Sequence, residues 1–147
     1  MLSPDEILAV IEDGGFRSTA SRRRLADVLT SHEEGFTAEE LVAETPGVGR
    51  ATVYRTIRLL VEQELLCKLS LPDGTPRYTL AQRGHHHHVV CQNCGSVREF
   101  RQSAMERMLK ELESSDGDVV TGHRIEVFVV CAECLVRGVV PTNVHQH

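Results

Sequence analysis

Two Cys-x-x-Cys pairs, Cys91-Gln92-Asn93-Cys94 and Cys131-Ala132-Glu133-Cys134, carry the strongest chemical signal in this chain. Two thiolates at that spacing converge on one ion, and two such pairs complete a tetrahedral four-cysteine zinc site. Such a site is closed to substrate, so its expected role is structural. The 36 residues between the pairs exceed the spacing of a short zinc ribbon, so the ion would staple separate elements together. The competing reading is a pair of redox dithiols. It is disfavoured because neither pair is expected to open a helix after a strand, as a thioredoxin-type motif does. Directly before the first pair lies His85-His86-His87-His88. On a strand, alternate residues face opposite ways, so His86 and His88 share one face and His85 and His87 the other. The run can therefore serve two metal sites, or be a solvated polar strand. Imidazoles suit zinc, iron(II), nickel, cobalt or copper. Cys67 has no Cys-x-x-Cys partner and reads either as a small buried hydrophobe or as a ligand.

These residues sit in a chain of 147 residues, 41% hydrophobic and 25% charged, ordinary values for a globular protein. No apolar run reaches the length of a membrane span. The first residues carry Asp5, Glu6, Glu12 and Asp13 and no base, which is not a signal peptide, so the expected location is the cytoplasm. The formal charge of −5 gives no hint of nucleic acid. The distribution of ligand types is more informative. Among residues 1–80 there is one Cys and one His, while residues 81–147 hold four Cys and seven His. This places a domain boundary after Leu80, with a hinge over 81–84, a metal-binding domain over 85–138 and a flexible tail over 139–147.

The first part reads as helices followed by a hairpin. Ser3 caps a helix through about Glu12, ended by Gly14-Gly15. Thr19 caps a second, running to about Thr30. Thr37-Ala38-Glu39-Glu40 is a capping box opening a third, through about Glu44. A longer helix runs from Arg50 to about Glu64, with Val53, Ile57, Leu60 and Val61 on its apolar side. Leu65–Leu71 and Arg77–Leu80 flank a Pro-Asp-Gly-Thr turn as two strands. The second part reads as α+β: strands at His85–Val90, Val97–Phe100 and His123–Val130, a helix over Ser103–Leu112 and a polar loop over Glu113–Gly117.

Together these residues resemble the ferric uptake regulator (Fur) family of bacterial metal-dependent repressors. The motifs that carry the resemblance are Ala51-Thr52-Val53-Tyr54-Arg55-Thr56, the His85–Cys94 stretch, Gly15-Phe16-Arg17-Ser18-Thr19 with Arg22, and Gly122-His123-Arg124-Ile125-Glu126. It spans about residues 5 to 137. It implies an N-terminal winged-helix DNA-binding domain followed by a C-terminal α/β dimerisation domain stapled by the four-cysteine site. It also implies a homodimer that binds palindromic double-stranded operator DNA when metal-loaded. By the resemblance, Tyr54 and Arg55 match base-contacting positions and Arg17 a position that approaches the minor groove, while Arg22, with Arg23 and Arg24, is a candidate phosphate contact. Arg50 and Thr52 lie on the same helix, and Arg50, Tyr54 and Arg58 recur at a spacing that can enter a major groove.

The resemblance also bears on the metal. Iron and peroxide sensors of the family place a His just before the third helix, where this chain has Gly35. Zinc sensors place a ligand at the start of the wing, where this chain has Cys67. A thiolate favours zinc over iron(II) or manganese(II) on softness grounds. The expected regulatory site is therefore Cys67, His86, His88 and Glu99, with His32 or water as alternatives for the fourth group. No ligand type stands in Tyr78-Thr79-Leu80-Ala81, where zinc sensors often carry a further Cys. A second regulatory site would use His85, His87, Glu106 and His123. The reading is thus a zinc uptake regulator, with an iron-responsive regulator as the alternative and Fe2+ or Mn2+ admitted at the regulatory site. Protonation of His86 and His88 below about pH 6 is expected to weaken that site. A zinc hydrolase would need an open metal position and a general base in a pocket, and the chain has no His-Glu-x-x-His helix and no Gly-rich phosphate loop. The chain therefore reads as a non-enzyme with no small-molecule substrate and no membrane partner.

Overall fold

The computed structural model describes residues 2–81, 86–101 and 103–142. Four helices come first: α1 (Pro4–Asp13), α2 (Ala20–Ser31), α3 (Ala38–Glu44) and α4 (Arg50–Glu62). Local chemistry sets their starts. The Ser3 hydroxyl accepts from the Glu6 amide while the Glu6 carboxylate accepts from the Ser3 amide, and Thr37 and Glu40 repeat the arrangement at α3. Thr19 caps α2 through the Arg22 amide. A two-stranded antiparallel wing follows, β1 (Leu66–Ser70) paired with β2 (Pro76–Leu80). Ile7, Ile11, Leu25, Leu29, Phe36 and Leu60 are fully buried together, so the helices and the wing share one core.

Beyond the wing, β3 (His87–Cys91) lies between β4 (Val97–Phe100) and β5 (Glu126–Val129), antiparallel to β4 and parallel to β5. Helix α5 (Ser103–Asp116) and the short α6 (Ala132–Val136) complete the chain. Among the described residues the buried apolar cluster here is small: Val90 and Val97 with Leu69 of the wing, and Leu71 against it.

The structure departs from these expectations at five points. Helix α5 runs to Asp116, so Glu113–Gly117 is not a loop. Polar residues continue a helix that is already nucleated, and an apolar pattern is not needed for its last turn. Strand β5 begins only at Glu126, because the ladder with β3 starts at His88↔Glu126. The β3 ladder begins at His87, and His85 and the 82–84 stretch of the expected hinge lie outside the described residues. The second Cys-x-x-Cys does open a helix after a strand, since Cys131 caps α6 just past β5. That ground for dismissing redox chemistry therefore falls. The stretch after Gly138 starts attached: the Val139 amide bonds the Cys134 carbonyl at 3.0 Å, and Gln92 reaches Thr142 at 3.5 Å. His145 and His147 lie outside the described residues.

The loop before α3 joins the two halves. The Glu34 carbonyl accepts from the Val97 amide of β4 at 2.9 Å. Phe36 pairs with Tyr78 of β2. Gly35, between them, has φ +84°. A Cβ there would lie 3.0 Å from Val97 Cγ2 and 3.1 Å from the Tyr78 carbonyl oxygen. Its own carbonyl accepts from the buried Arg77 guanidinium at 2.8 Å.

Candidate metal centres and the exposed face of helix 4

The four cysteines Cys91, Cys94, Cys131 and Cys134 come together with every sulfur within 4.8 Å of the others. The Cys91–Cys134 and Cys94–Cys131 sulfurs are 3.9 and 3.7 Å apart. A tetrahedral zinc with bonds near 2.3 Å separates its sulfurs by about 3.8 Å, so the donor set fits that ion. Gly95 (φ +75°) turns the chain so that its amide meets the Cys91 carbonyl at 2.8 Å. The Asn93 side-chain amide donates to the Cys134 sulfur at 3.2 Å, and the Cys131 amide to the Cys91 sulfur at 3.4 Å. Burial raises the Cys91 thiol, but the amides of Cys94, Cys131 and Asn93 outweigh it and bring its pKa down to about 6. At neutral pH Cys91 is ready to ligate as thiolate. The Asn93 donor lowers the Cys134 thiol, yet burial and the three neighbouring sulfurs push it up to about 11. A cluster of this asymmetry takes up an ion with release of protons. Four converging sulfurs suit one metal better than two separate dithiols.

The strand alternation separates the histidines. Cys67 on β1, His86 just before β3 and His88 on β3 form one cluster within 4.8 Å. The Cys67 sulfur lies 3.4 Å from His86 Nε2, close to the ~3.5 Å that a tetrahedral zinc imposes between sulfur and nitrogen ligands. His88 Nε2 is buried without a hydrogen-bond partner among the described residues, an orphan that a metal would satisfy. Burial, then the neighbouring His86 and Arg124, lowers the His88 pKa to about 4. His88 is therefore neutral at pH 6, and the expected proton competition at pH 6 does not fall on it. Burial and the nearby Glu99 carboxylate raise the Cys67 thiol above its ordinary range. The cluster opens onto a cavity of about 280 Å³ that Arg124 and Ile125 also line. Glu99 comes within 3.7 Å of His86 Nε2 but stands outside the tight three-residue cluster. His32 is held elsewhere, bonded to Glu44 at 2.7 Å and against the Phe36 ring.

On the opposite face, His87, Glu106 of α5 and His123 form a third cluster. Glu106 lies 3.3 Å from His87 Nε2 and 3.4 Å from His123 Nε2. The fourth expected member, His85, lies outside the described residues.

Residues 13–128 match the ferric uptake regulator family. The chain belongs to that family. The ferric uptake regulation protein of Campylobacter jejuni is 34% identical over 131 residues, covering 85% of this chain and 83% of its own length. The Vibrio cholerae ferric uptake regulator, whose DNA-binding domains rearrange, is 27% identical with a TM-score of 0.68, covering 84% of this chain and 98% of that one. The Helicobacter pylori ferric uptake regulator shares the fold at TM-score 0.75 and 23% identity, covering 91% and 95%. The Fur-family chain is thus a metal-responsive regulator, and among its described residues no helix is long and apolar enough to cross a membrane.

The exposed face of α4 carries Arg50, Tyr54 and Arg55, with Thr52 half-buried beside them. Arg55 folds back on the Ala51 carbonyl at 3.2 Å and makes no ion pair among the described residues. Arg22 lies 4.8 Å above the Phe16 ring and donates to the Arg17 carbonyl at 2.6 Å, tying the two basic positions before α2 together. Arg58 pairs with Glu62 and Arg23 with Asp5. Arg50 and Tyr54 both donate to the Glu39 carboxylate of α3. Glu39 and Arg77 were not singled out by sequence, because their partners come from other elements and no local pattern marks them.

Proposed function

We propose that this chain is a metal-dependent transcriptional repressor that binds palindromic double-stranded operator DNA as a homodimer and senses zinc. The observation that carries the reading is the Cys67–His86–His88 cluster, because Cys67 stands on the wing and both histidines stand beyond it. One ion held there clamps the DNA-binding unit, residues 1–80, to the dimerisation unit, residues 85–138. It thereby sets the spacing of two recognition helices against two half-sites. Tyr54, Arg55 and Thr52 take the base edges, Arg17 the minor groove and Arg22 the backbone. The four-cysteine cluster holds a structural zinc, Glu99 closes the sensor site, and His87, Glu106 and His123 with His85 form a further regulatory site. Dimerisation is supported by the apolar side chains that β5 and α5 leave exposed, Val127, Phe128, Met108 and Leu112.

A second reading, an iron-responsive regulator, is favoured by the name of the Campylobacter relative. The metals separate in an operator-binding titration by fluorescence anisotropy, after mild chelation that spares the four-cysteine zinc. Zinc, iron(II) and manganese(II) are added anaerobically at buffered free concentrations to wild type and Cys67→Ser. A zinc sensor regains binding at very low free zinc, and Cys67→Ser needs far more. Coupling of about 1–3 kcal/mol makes metal and DNA tighten each other roughly 5- to 150-fold. Recovery with iron(II), indifferent to Cys67→Ser, overturns the zinc reading.

A further inference from the structure

Arg50 is the first residue of α4, where an exposed base would be expected to seek a DNA phosphate. Its guanidinium instead faces a carboxylate from the preceding helix. Both Arg50 terminal nitrogens donate to the Glu39 carboxylate, one of them at 2.8 Å. The Tyr54 hydroxyl donates to the same carboxylate, and the Arg50 guanidinium sits 5.4 Å from the Tyr54 ring centroid. The three side chains are exposed and form one closed unit on the face proposed to enter the groove. The hydrogen bonds from Tyr54 and Arg50 hold the Glu39 carboxyl below its ordinary range, so it stays charged.

Resting on the DNA-binding reading above, we infer that Glu39 is a specificity-determining residue. Its carboxylate neutralises Arg50 and so denies the recognition helix a sequence-independent phosphate contact, leaving the Tyr54 ring and Arg55 to read bases. An unneutralised arginine here would strengthen binding to every sequence alike, because phosphate contacts carry no sequence information. Arg50 thus becomes a positioning residue, in place of the DNA contact that the helical spacing suggests.

The test is the salt dependence of binding to operator and to unrelated duplex, for metal-loaded wild type, Glu39→Gln and Glu39→Gln/Arg50→Gln. A glutamine still accepts from Tyr54, so the ring stays held and only charge changes. Each phosphate contact steepens the slope of log K against log salt by about 0.9, hence about 1.8 for two freed arginines in a dimer. Glu39→Gln is expected to steepen the slope by that amount and tighten unrelated duplex more than operator. The double variant is expected to return to the wild-type slope and discrimination. Both substituted positions are exposed, and equal melting temperatures verify that the variants fold. An unchanged slope in Glu39→Gln, or a double variant shallower than wild type, overturns the inference while leaving the repressor reading intact. Absence of metal-dependent operator binding in wild type overturns both.

Discussion

Replacing Gly35 by alanine tests the packing that joins the two halves. At φ +84° an L-residue is strained, by about 1–2 kcal/mol. The added Cβ would then sit 3.0 Å from Val97 Cγ2 and 3.1 Å from the Tyr78 oxygen. Those neighbours must yield by a few tenths of an ångström, and overpacking of that kind adds about 1 kcal/mol or more. Gly35→Ala should therefore destabilise the zinc-loaded protein by roughly 2–4 kcal/mol in urea unfolding, as a shift in midpoint without a change in slope. Val97→Ala combined with Gly35→Ala should recover only the collision with Val97, giving a coupling of about 1 kcal/mol. The backbone strain and the Tyr78 approach remain in the double variant. A loss below about 0.5 kcal/mol for Gly35→Ala would refute the reasoning. Gly35→His is the informative extension. It places there the residue type of the iron-sensor pattern, yet it should lose stability at least as heavily and gain no iron(II) response, since at φ +84° its side chain must first displace Val97 and the Tyr78 carbonyl.

Two further outcomes follow from the sites. In protein stripped of sensor metal, His88 resists protonation when folded but titrates near 6.5 when unfolded. The unfolded chain then binds more protons between about pH 4 and 6.5, so stability falls as pH drops through that window, by about 2 kcal/mol from pH 7 to 5. His88→Gln should remove that part of the pH profile, and parallel losses in both proteins would contradict the assignment. Extraction of the structural zinc should release the β3–β5 sheet and α6, because Leu69, Val90 and Val97 offer too small a core to order them. Hydrogen exchange should then show fast amides beyond the wing and retained protection in α1–α4. Protection surviving in β3 without zinc would mean that the sheet stands unaided.

Much of this was legible in the sequence because it is local. Helix starts followed from Ser3–Glu6 and Thr37–Glu40, and the sorting of His86 and His88 away from His87 followed from strand alternation alone. The missing ligand at Gly35 was visible, but not the close approach of Val97 and Tyr78 to it from two other strands. Helix α6 escaped notice because five residues present no period, and the amide of its N-cap, Cys131, bonds the Cys91 sulfur 40 positions away. The Glu39 contact with Arg50 and Tyr54 joins positions 11 and 15 residues apart, and nothing at either end announces it.

The two halves of the cysteine cluster also impose an order on the birth of the molecule. The apolar cluster of the N-terminal half draws only on residues before Ala81, so the emerging chain can fold that part as soon as β2 is made. Cys91 must wait for Cys134, 43 positions later, which is about 2–9 s at ordinary rates of synthesis. During that interval β3 lacks its parallel neighbour β5, and the first pair of thiols has no second pair to share an ion with. In a zinc-starved cell, newly made chains would therefore carry a finished winged helix and an unclosed second half. On the repressor reading proposed above, such chains would lack the closed half that pairs them across an operator, so new synthesis under starvation would add little to the active pool.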